Sequence, residues 1–362
     1  MDRIPITKPV VTEEMIEASA QALRDERIVL GESVFKFEEE FARYIGTDYA
    51  ISVSSGTDAL ILAMIALNVR AKEVITTPFS FVATATSIIH AGGTPIFVDI
   101  LEDGNINPSL IRLTRETAAI MPVHLYGYPA CMDEIIEAAP DTRIIEDACQ
   151  AHGAIYNGKR CGSIGDIGCF SFYPTKNMTV GGDGGIVTTN DKCLAEDIRK
   201  LSNCGRTSRY EHDVFGFTSR LNTANAAFGR VQLRHLDDWN ERRRSLARHY
   251  SERLKDVSEI KLPSLGTHNV VPVFHLYVIN CNDRDALANH LATNGVDTAT
   301  HYPIPIHLQP AYREVYDLGP GKYPQSEHMS TTALSLPLFP ELEYEQVDRI
   351  CDLIIDYYEE NG

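Results

Sequence analysis

The sequence predicts an α/β protein with a mostly parallel sheet covered by helices in a large domain over residues 1–240, and a smaller α+β domain over 241–362. Three observations predict it. From Tyr49 to Glu146, short apolar runs of strand length trade places with segments of helical periodicity, and strands that are apolar on both faces belong between two helical layers. Beyond Ile260 the pattern resets. At 362 residues the chain is also long for a single core.

Taken in order, an N-terminal arm precedes two segments, Val11 to Asp25 and Ser33 to Ile45, whose apolar residues recur at helical spacing. Ala50 to Val53 reads as a strand, followed by a glycine-containing turn, an apolar helix over Asp58 to Leu67 and a strand over Glu73 to Thr76. Further strands are expected at Ile96 to Asp99, Ala118 to Val123 and Arg143 to Glu146. Gly168 to Tyr173 and Gly185 to Thr189 form two more, joined either as a hairpin or by a crossover. Helices are expected over Asp191 to Asn203 and from Thr223 to about Leu254, the second rich in Arg, Glu and Asp and long enough to bridge the domains. The smaller domain reads as a strand over Val271 to Ile279, a helix over Arg284 to Asn294 and a closing helix over Glu343 to Tyr358.

Composition excludes several function classes. Hydrophobic residues make up 44% and charged residues 23%, as in an ordinary folded protein. A formal net charge of −17 argues against nucleic acid as the partner, because phosphate-backbone binding concentrates Lys and Arg. The eight cysteines, at 131, 149, 161, 169, 193, 204, 281 and 351, include no pair with the two-residue spacing of zinc ribbons or redox motifs. They read as reduced thiols, and a metal enzyme built on His124, His152 and the cysteines has no ligand spacing to support it. Met1 to Ile6 lacks a signal-peptide pattern and no run is long enough to cross a bilayer, so the expectation is a cytoplasmic protein with no membrane partner.

In parallel-sheet architectures the site lies at the carboxyl ends of strands. There Ile144-Ile145-Glu146-Asp147 ends an apolar stretch in an acid, which needs a partner to be buried. Lys176 stands in Ser171-Phe172-Tyr173-Pro174-Thr175-Lys176, ahead of Gly181-Gly182-Asp183-Gly184-Gly185. Its apolar flank lowers the amine's pKa and makes it nucleophilic. An amine to hold an aldehyde and a carboxylate to keep a ring nitrogen protonated are what pyridoxal 5'-phosphate requires. Ser54-Ser55-Gly56-Thr57-Asp58 leaves backbone N–H groups at a helix N-terminus, an anion site by geometry. Such turns are ordinarily only caps; here Ser171 offers the same phosphate a hydroxyl. Phe81 is the ring expected to stack on the cofactor, Gln150 lies near its phenolic oxygen, and His152 supports Asp147 from behind.

These residues resemble the DegT/DnrJ/EryC1/StrS aminotransferases, pyridoxal phosphate enzymes that place amino groups on sugars and cyclitols. The resemblance covers essentially the whole chain. It runs through Ile28-Val29-Leu30-Gly31, Ser55-Gly56-Thr57-Asp58-Ala59-Leu60, Phe81-Val82-Ala83-Thr84-Ala85 and Pro122-Val123-His124-Leu125-Tyr126-Gly127, and continues in Glu146-Asp147-Ala148-Cys149-Gln150-Ala151-His152-Gly153-Ala154, the Lys176 segment and Gly182-Asp183-Gly184-Gly185. It implies the aspartate aminotransferase fold (type I) and a homodimer with its sites at the subunit interface. It also implies Lys176 as the Schiff-base lysine, Asp147 as the ring-nitrogen partner, Phe81 as the stacking ring, Gly56, Thr57 and Ser171 at the phosphate, and Gln150 at the ring oxygen. A branch of the family with histidine for the lysine is a dehydratase, and Lys176 argues against that branch.

One departure lies in Gly216-Phe217-Thr218-Ser219-Arg220-Leu221-Asn222, where the family usually has asparagine at Thr218 to reach the phosphate of the neighbouring subunit. Either the Thr218 hydroxyl or Asn222 replaces it. Arg220, with His301-Tyr302-Pro303-Ile304-Pro305, is similar to members acting on 3-keto nucleotide sugars, where the arginine and the His-Tyr pair face the substrate. The implied reaction is ping-pong transfer of an amino group from L-glutamate to a keto sugar nucleotide, position three favoured. Amination of a 4-keto sugar or a cyclitol, or a non-catalytic regulatory relative, are the alternatives.

Overall fold

The computed structural model describes residues 3–361; Met1, Asp2 and Gly362, the outermost residues of the expected N-terminal arm and second domain, lie outside the described residues. Helices α1 (Glu13–Asp25) and α2 (Glu32–Ile45) lead into β1 (Tyr49–Val53), α3 (Gly56–Ala66), β2 (Glu73–Thr76), α4 (Ala83–His90), β3 (Thr94–Phe97) and β4 (Thr117–Ile120). Then come α5 (Met132–Ala138), β5 (Arg143–Asp147), a small hairpin of β6 (Ile155–Tyr156) and β7 (Lys159–Arg160), and the pair β8 (Ile167–Ser171) and β9 (Gly185–Thr189). The seven-stranded sheet has the order β1-β9-β8-β5-β4-β2-β3. Only β9 runs against its neighbours, so the sheet is mostly parallel and β8 returns through β9 as an antiparallel pair, with Lys176 on the loop between.

Period-two alternation sorts strand residues to two faces. Ile51, Val53, Cys169 and Val187 pack with α3, α4 and α6 (Lys192–Ser202), whereas Ala50, Phe170 and Ile186 pack with α2 and α7 (Thr223–Leu254). Helix α3 is apolar all round because the sheet, α4 and α6 surround it. Regular pairing of β4 stops at Ile120, short of the expected Val123, because Pro122 has no N–H for a ladder; an isolated Val123–Asp147 bridge resumes beyond it.

Helix α7 crosses position 240 unbroken. Ala226 and Leu236 in its first half join the sheet layer, while Leu246, Ala247, Tyr250 and Leu254 join a second core. That core is completed by β10 (Ile260–Lys261), β12 (Tyr277–Cys281), α8 (Arg284–Thr293), β13 (Ala333–Leu336) and α11 (Tyr344–Asn361), around the antiparallel sheet β10-β12-β13. The strand expected over Val271 to Ile279 is two. β11 (Val270–Val271) pairs with β6, and the chain then leaves the sheet until β12. Pro272 cannot donate, the Val273 N–H turns to the Gly127 carbonyl at 3.0 Å, and Phe274 adopts φ +43°. Helices α9 (Pro310–Tyr316) and α10 (Pro324–Thr332) lie in the stretch between α8 and β13. Among the described residues no helix is long and apolar enough to cross a membrane.

Candidate active site

The β5 and β8 strands run parallel and end beside the start of α3, so their carboxyl ends and a helix N-terminus meet at one place. Lys176, Asp147 and Gln150, with Gly56, Thr57 and Ser171, border a cavity of about 490 Å³ there. Phe81, His301 and Tyr302 line it too. Nine of the residues picked from sequence are thereby brought together from segments up to 246 positions apart, from Gly56 to Tyr302.

Asp147 ends β5 and is 4% exposed. Its Oδ2 accepts a hydrogen bond from Thr84 Oγ1 at 2.8 Å and its Oδ1 one from the Cys149 N–H at 3.3 Å. Thr84 is itself 2.9 Å from Ser80 Oγ. The support for the acid therefore comes from α4 and not from His152. Neither ring nitrogen of His152 has a hydrogen-bond partner, and the ring lies 5.4 Å from that of Phe170 and 5.7 Å from that of Phe172. Burial, with the nearby Lys176 charge, drops its pKa to about 3. It is a neutral core histidine.

The Lys176 amine lies 3.5 Å from His275 Nε2. Burial lowers its pKa, and the charges of Cys149 and Asp147 partly oppose that. A larger share of the amine is then neutral and nucleophilic. His275 carried no sequence signal, because it stood inside an expected strand; Pro272 was the one mark of the break. It is 6% exposed, its Nδ1 has no partner, and burial with the charges of Lys176 and Arg243 holds it well below its usual pKa.

Ser55 caps α3, its Oγ accepting the Asp58 N–H at 3.1 Å. The N–H groups of the first turn have no partner inside the helix. A Cβ on Gly56 would stand 2.5 Å from Ser171 Cβ, so only glycine lets the helix start and the end of β8 approach this closely. Nearby, Phe79 is fully buried while Phe81 is 54% exposed and offers its ring to the cavity. Gln150 Oε1 accepts the Tyr126 N–H at 2.8 Å, which turns its amide nitrogen toward Tyr302 Oη at 3.3 Å. His301 Nδ1 is 2.8 Å from Ser335 Oγ, and burial with the Lys176 charge lowers its pKa to about 4.

Thr218 and Arg220 do not line this cavity. Thr218 is exposed, with Oγ1 at 3.3 Å from Cys204 Sγ, and Arg220 Nη1 donates to Asn203 Oδ1 at 2.8 Å. Between them Ser219 Oγ donates to Asp58 Oδ2 at 2.7 Å, tying the segment to the start of α3. Asn222 is occupied as the cap of α7, accepting the Asn225 N–H at 3.0 Å.

His124, Glu146 and Cys161, all buried, lie close enough to suggest a metal. Hydrogen bonding explains the cluster instead. The Ala130 N–H donates to His124 Nδ1 at 3.0 Å, so the ring's proton is on Nε2, which donates to Glu146 Oε2 at 2.9 Å. Glu146 also accepts the N–H groups of Gly162, Ile164 and Gly165, each at 2.7 Å. Both imidazole nitrogens are used and the carboxylate is satisfied.

The cavity fits pyridoxal phosphate: a neutral-leaning amine, a buried carboxylate held by Thr84, an exposed aromatic face, and a cradle at Gly56 that a side chain would fill. Comparison with known proteins agrees. The DegT/DnrJ/EryC1/StrS aminotransferase family matches residues 9–355. The chain is 42% identical over 349 residues to the dTDP-3-amino-3,4,6-trideoxy-alpha-D-glucose transaminase of Streptomyces venezuelae, covering 94% of this chain and 91% of that one. It is 40% identical over 352 residues to the UDP-N-acetyl-3-dehydro-alpha-D-glucosamine 3-aminotransferase of Acidithiobacillus ferrooxidans, covering 94% and 93%. The crystal structure of S. venezuelae DesV superposes with a TM-score of 0.96 at 40% identity, over 99% of both chains. The protein belongs to the DegT/DnrJ/EryC1/StrS aminotransferase family and is a pyridoxal-phosphate-dependent transaminase with the type I fold.

Proposed function

We propose that the protein moves an amino group from L-glutamate to a keto sugar carried on a nucleotide, at ring position three. The observation that carries this reading is the convergence of the Lys176 amine, the Asp147 carboxylate and the α3 N-terminus on one cavity, together with relatives named for 3-amination. Bound pyridoxal phosphate supplies an aldehyde to carry the amino group and a ring that withdraws electrons from the reacting carbon.

The chain's own residues do the rest. Lys176 would hold the aldehyde through its amine, and the same Nζ would carry the transferred proton. Asp147, fixed by Thr84, would hold the ring nitrogen protonated; a charge-assisted hydrogen bond of this class contributes roughly 1.5–3 kcal/mol. Gly56, Thr57 and Ser171 would hold the phosphate, Phe81 would stack on the ring, and Gln150 would offer its amide to the ring oxygen. His301 and Tyr302 face the sugar from the smaller domain. That domain, residues 241–362, closes the cavity laid down by residues 1–240.

A homodimer completes the site. Exposed apolar side chains, among them Ile28, Val29, Phe215 and Phe217, are a surface that a second copy would cover. Thr218 and Arg220 then reach the partner's cavity, Thr218 rather than Asn222 because Asn222 is committed to capping α7. We place the reaction in the cytoplasm. The test is the product: incubation with L-glutamate and a 3-keto nucleotide sugar, followed by NMR, is expected to give the 3-amino sugar. Amination only of 4-keto sugars would overturn the position assigned, and unimpaired turnover in Lys176→Ala would overturn the mechanism.

A further inference from the structure

We infer that His275 is a positioning residue for Lys176, its Nε2 accepting a hydrogen bond from the amine whenever that amine is free of the cofactor, a role that rests on Lys176 being the cofactor lysine. A lysine that carries a proton needs an acceptor beside it when it is free of the cofactor, since an ammonium has three N–H groups to satisfy. Among the described residues, His275 is the one side chain within hydrogen-bond distance of Lys176 Nζ, at 3.5 Å. Asp147 and Cys149 act on the amine through charge.

His275 suits the task. It can accept only while neutral, and burial with the charges of Lys176 and Arg243 keeps it so; His301 and His152, which also face it, are themselves neutral. Its Nδ1 has no partner, so no competing hydrogen bond sets its tautomer. The backbone beneath it is pinned: buried Arg243 donates through Nη1 to the carbonyls of Phe274 at 3.3 Å, His275 at 3.5 Å and Leu338 at 3.0 Å. The break in the sheet at Phe274 turns His275 into the cavity. With one N–H held by His275, the remaining N–H groups and the path of the transferred proton point into the open cavity.

The test uses the cofactor-free enzyme. Acetic anhydride labels neutral amines, so the extent of Lys176 acetylation against pH, read by peptide mass spectrometry, gives the midpoint for loss of its proton. An acceptor favours the ammonium, so His275→Leu is expected to lower that midpoint by about one pH unit or more. His275→Gln, whose amide oxygen reaches the place of Nε2, is expected to stay within about half a unit of the parent. If His275→Leu does not fold, His275→Asn, whose shorter amide stops short of Nζ, stands in for it against His275→Gln. Midpoints that coincide in all variants, or a Gln variant as shifted as the Leu variant, would overturn the role. If Lys176 is not the cofactor lysine, the parent lacks a visible chromophore on reconstitution while the labelling contrast is unaffected, so the two failures separate.

Discussion

At the scale of single residues, the site depends on close approach as much as on chemistry. A methyl group on Gly56 would stand 2.5 Å from Ser171 Cβ, well inside van der Waals contact. Gly56→Ala is therefore expected to push the α3 start from the end of β8 and weaken cofactor binding by roughly tenfold, about 1.4 kcal/mol, measured by titrating apoenzyme with cofactor. Lys176 and Asp147 were legible in sequence because their chemistry demands an amine and an acid in apolar company. His275 and Thr84 were not, because a histidine in an apolar run and a threonine in a helix carry no periodic mark. His152 misled for the opposite reason: its place in a functional motif concealed a packing role. That role has a pH signature. His152 titrates at 6.5 ordinarily and near 3 when folded, so between those values the unfolded chain binds the extra proton and stability falls as pH falls. His152→Phe, placed against Phe170 and Phe172, is expected to remove about 2 kcal/mol of the loss between pH 7 and pH 5 in urea unfolding. An unchanged loss would show that the ring is not held neutral.

At the scale of elements, the sheet strands and main helices were readable, and what was left open or misread falls where tertiary pairing overrides local pattern. Gly185 to Thr189 is as apolar as the parallel strands yet runs antiparallel to β1 and β8, a direction that no periodicity encodes. Val271 to Ile279 reads as one apolar strand, and only Pro272 marks the break. The two-residue strands β6, β7, β10 and β11 are too short to leave a signal. Helix α7 separates two readings of one motif. Asn222→Ala removes its cap and is expected to cost about 1 kcal/mol of stability with cofactor affinity unchanged, whereas Thr218→Val is expected to weaken cofactor binding and leave stability alone. Urea unfolding and cofactor titration on both variants check this; the reverse pattern would assign the phosphate to Asn222.

At the scale of the whole molecule, the two cores share α7, and the cavity is lined by residues before position 240 together with His275, His301 and Tyr302 beyond it, so the site belongs to neither part alone. The single chain leaves Phe215 wholly exposed beside Phe217, a surface that the proposed second copy would cover. Sedimentation is expected to give twice the chain mass, and Phe215→Asp to shift the protein toward monomer with loss of turnover; a fully active monomer would contradict an interface site. The central claim, that Lys176 and its surroundings perform transamination with glutamate as donor, is tested most directly by the absorption spectrum of the holoenzyme before and after adding L-glutamate without any sugar. The account predicts a yellow band that gives way to near-ultraviolet absorption as the amino group passes to the cofactor. A yellow band indifferent to glutamate would contradict the donor, and no band after reconstitution would contradict the site itself.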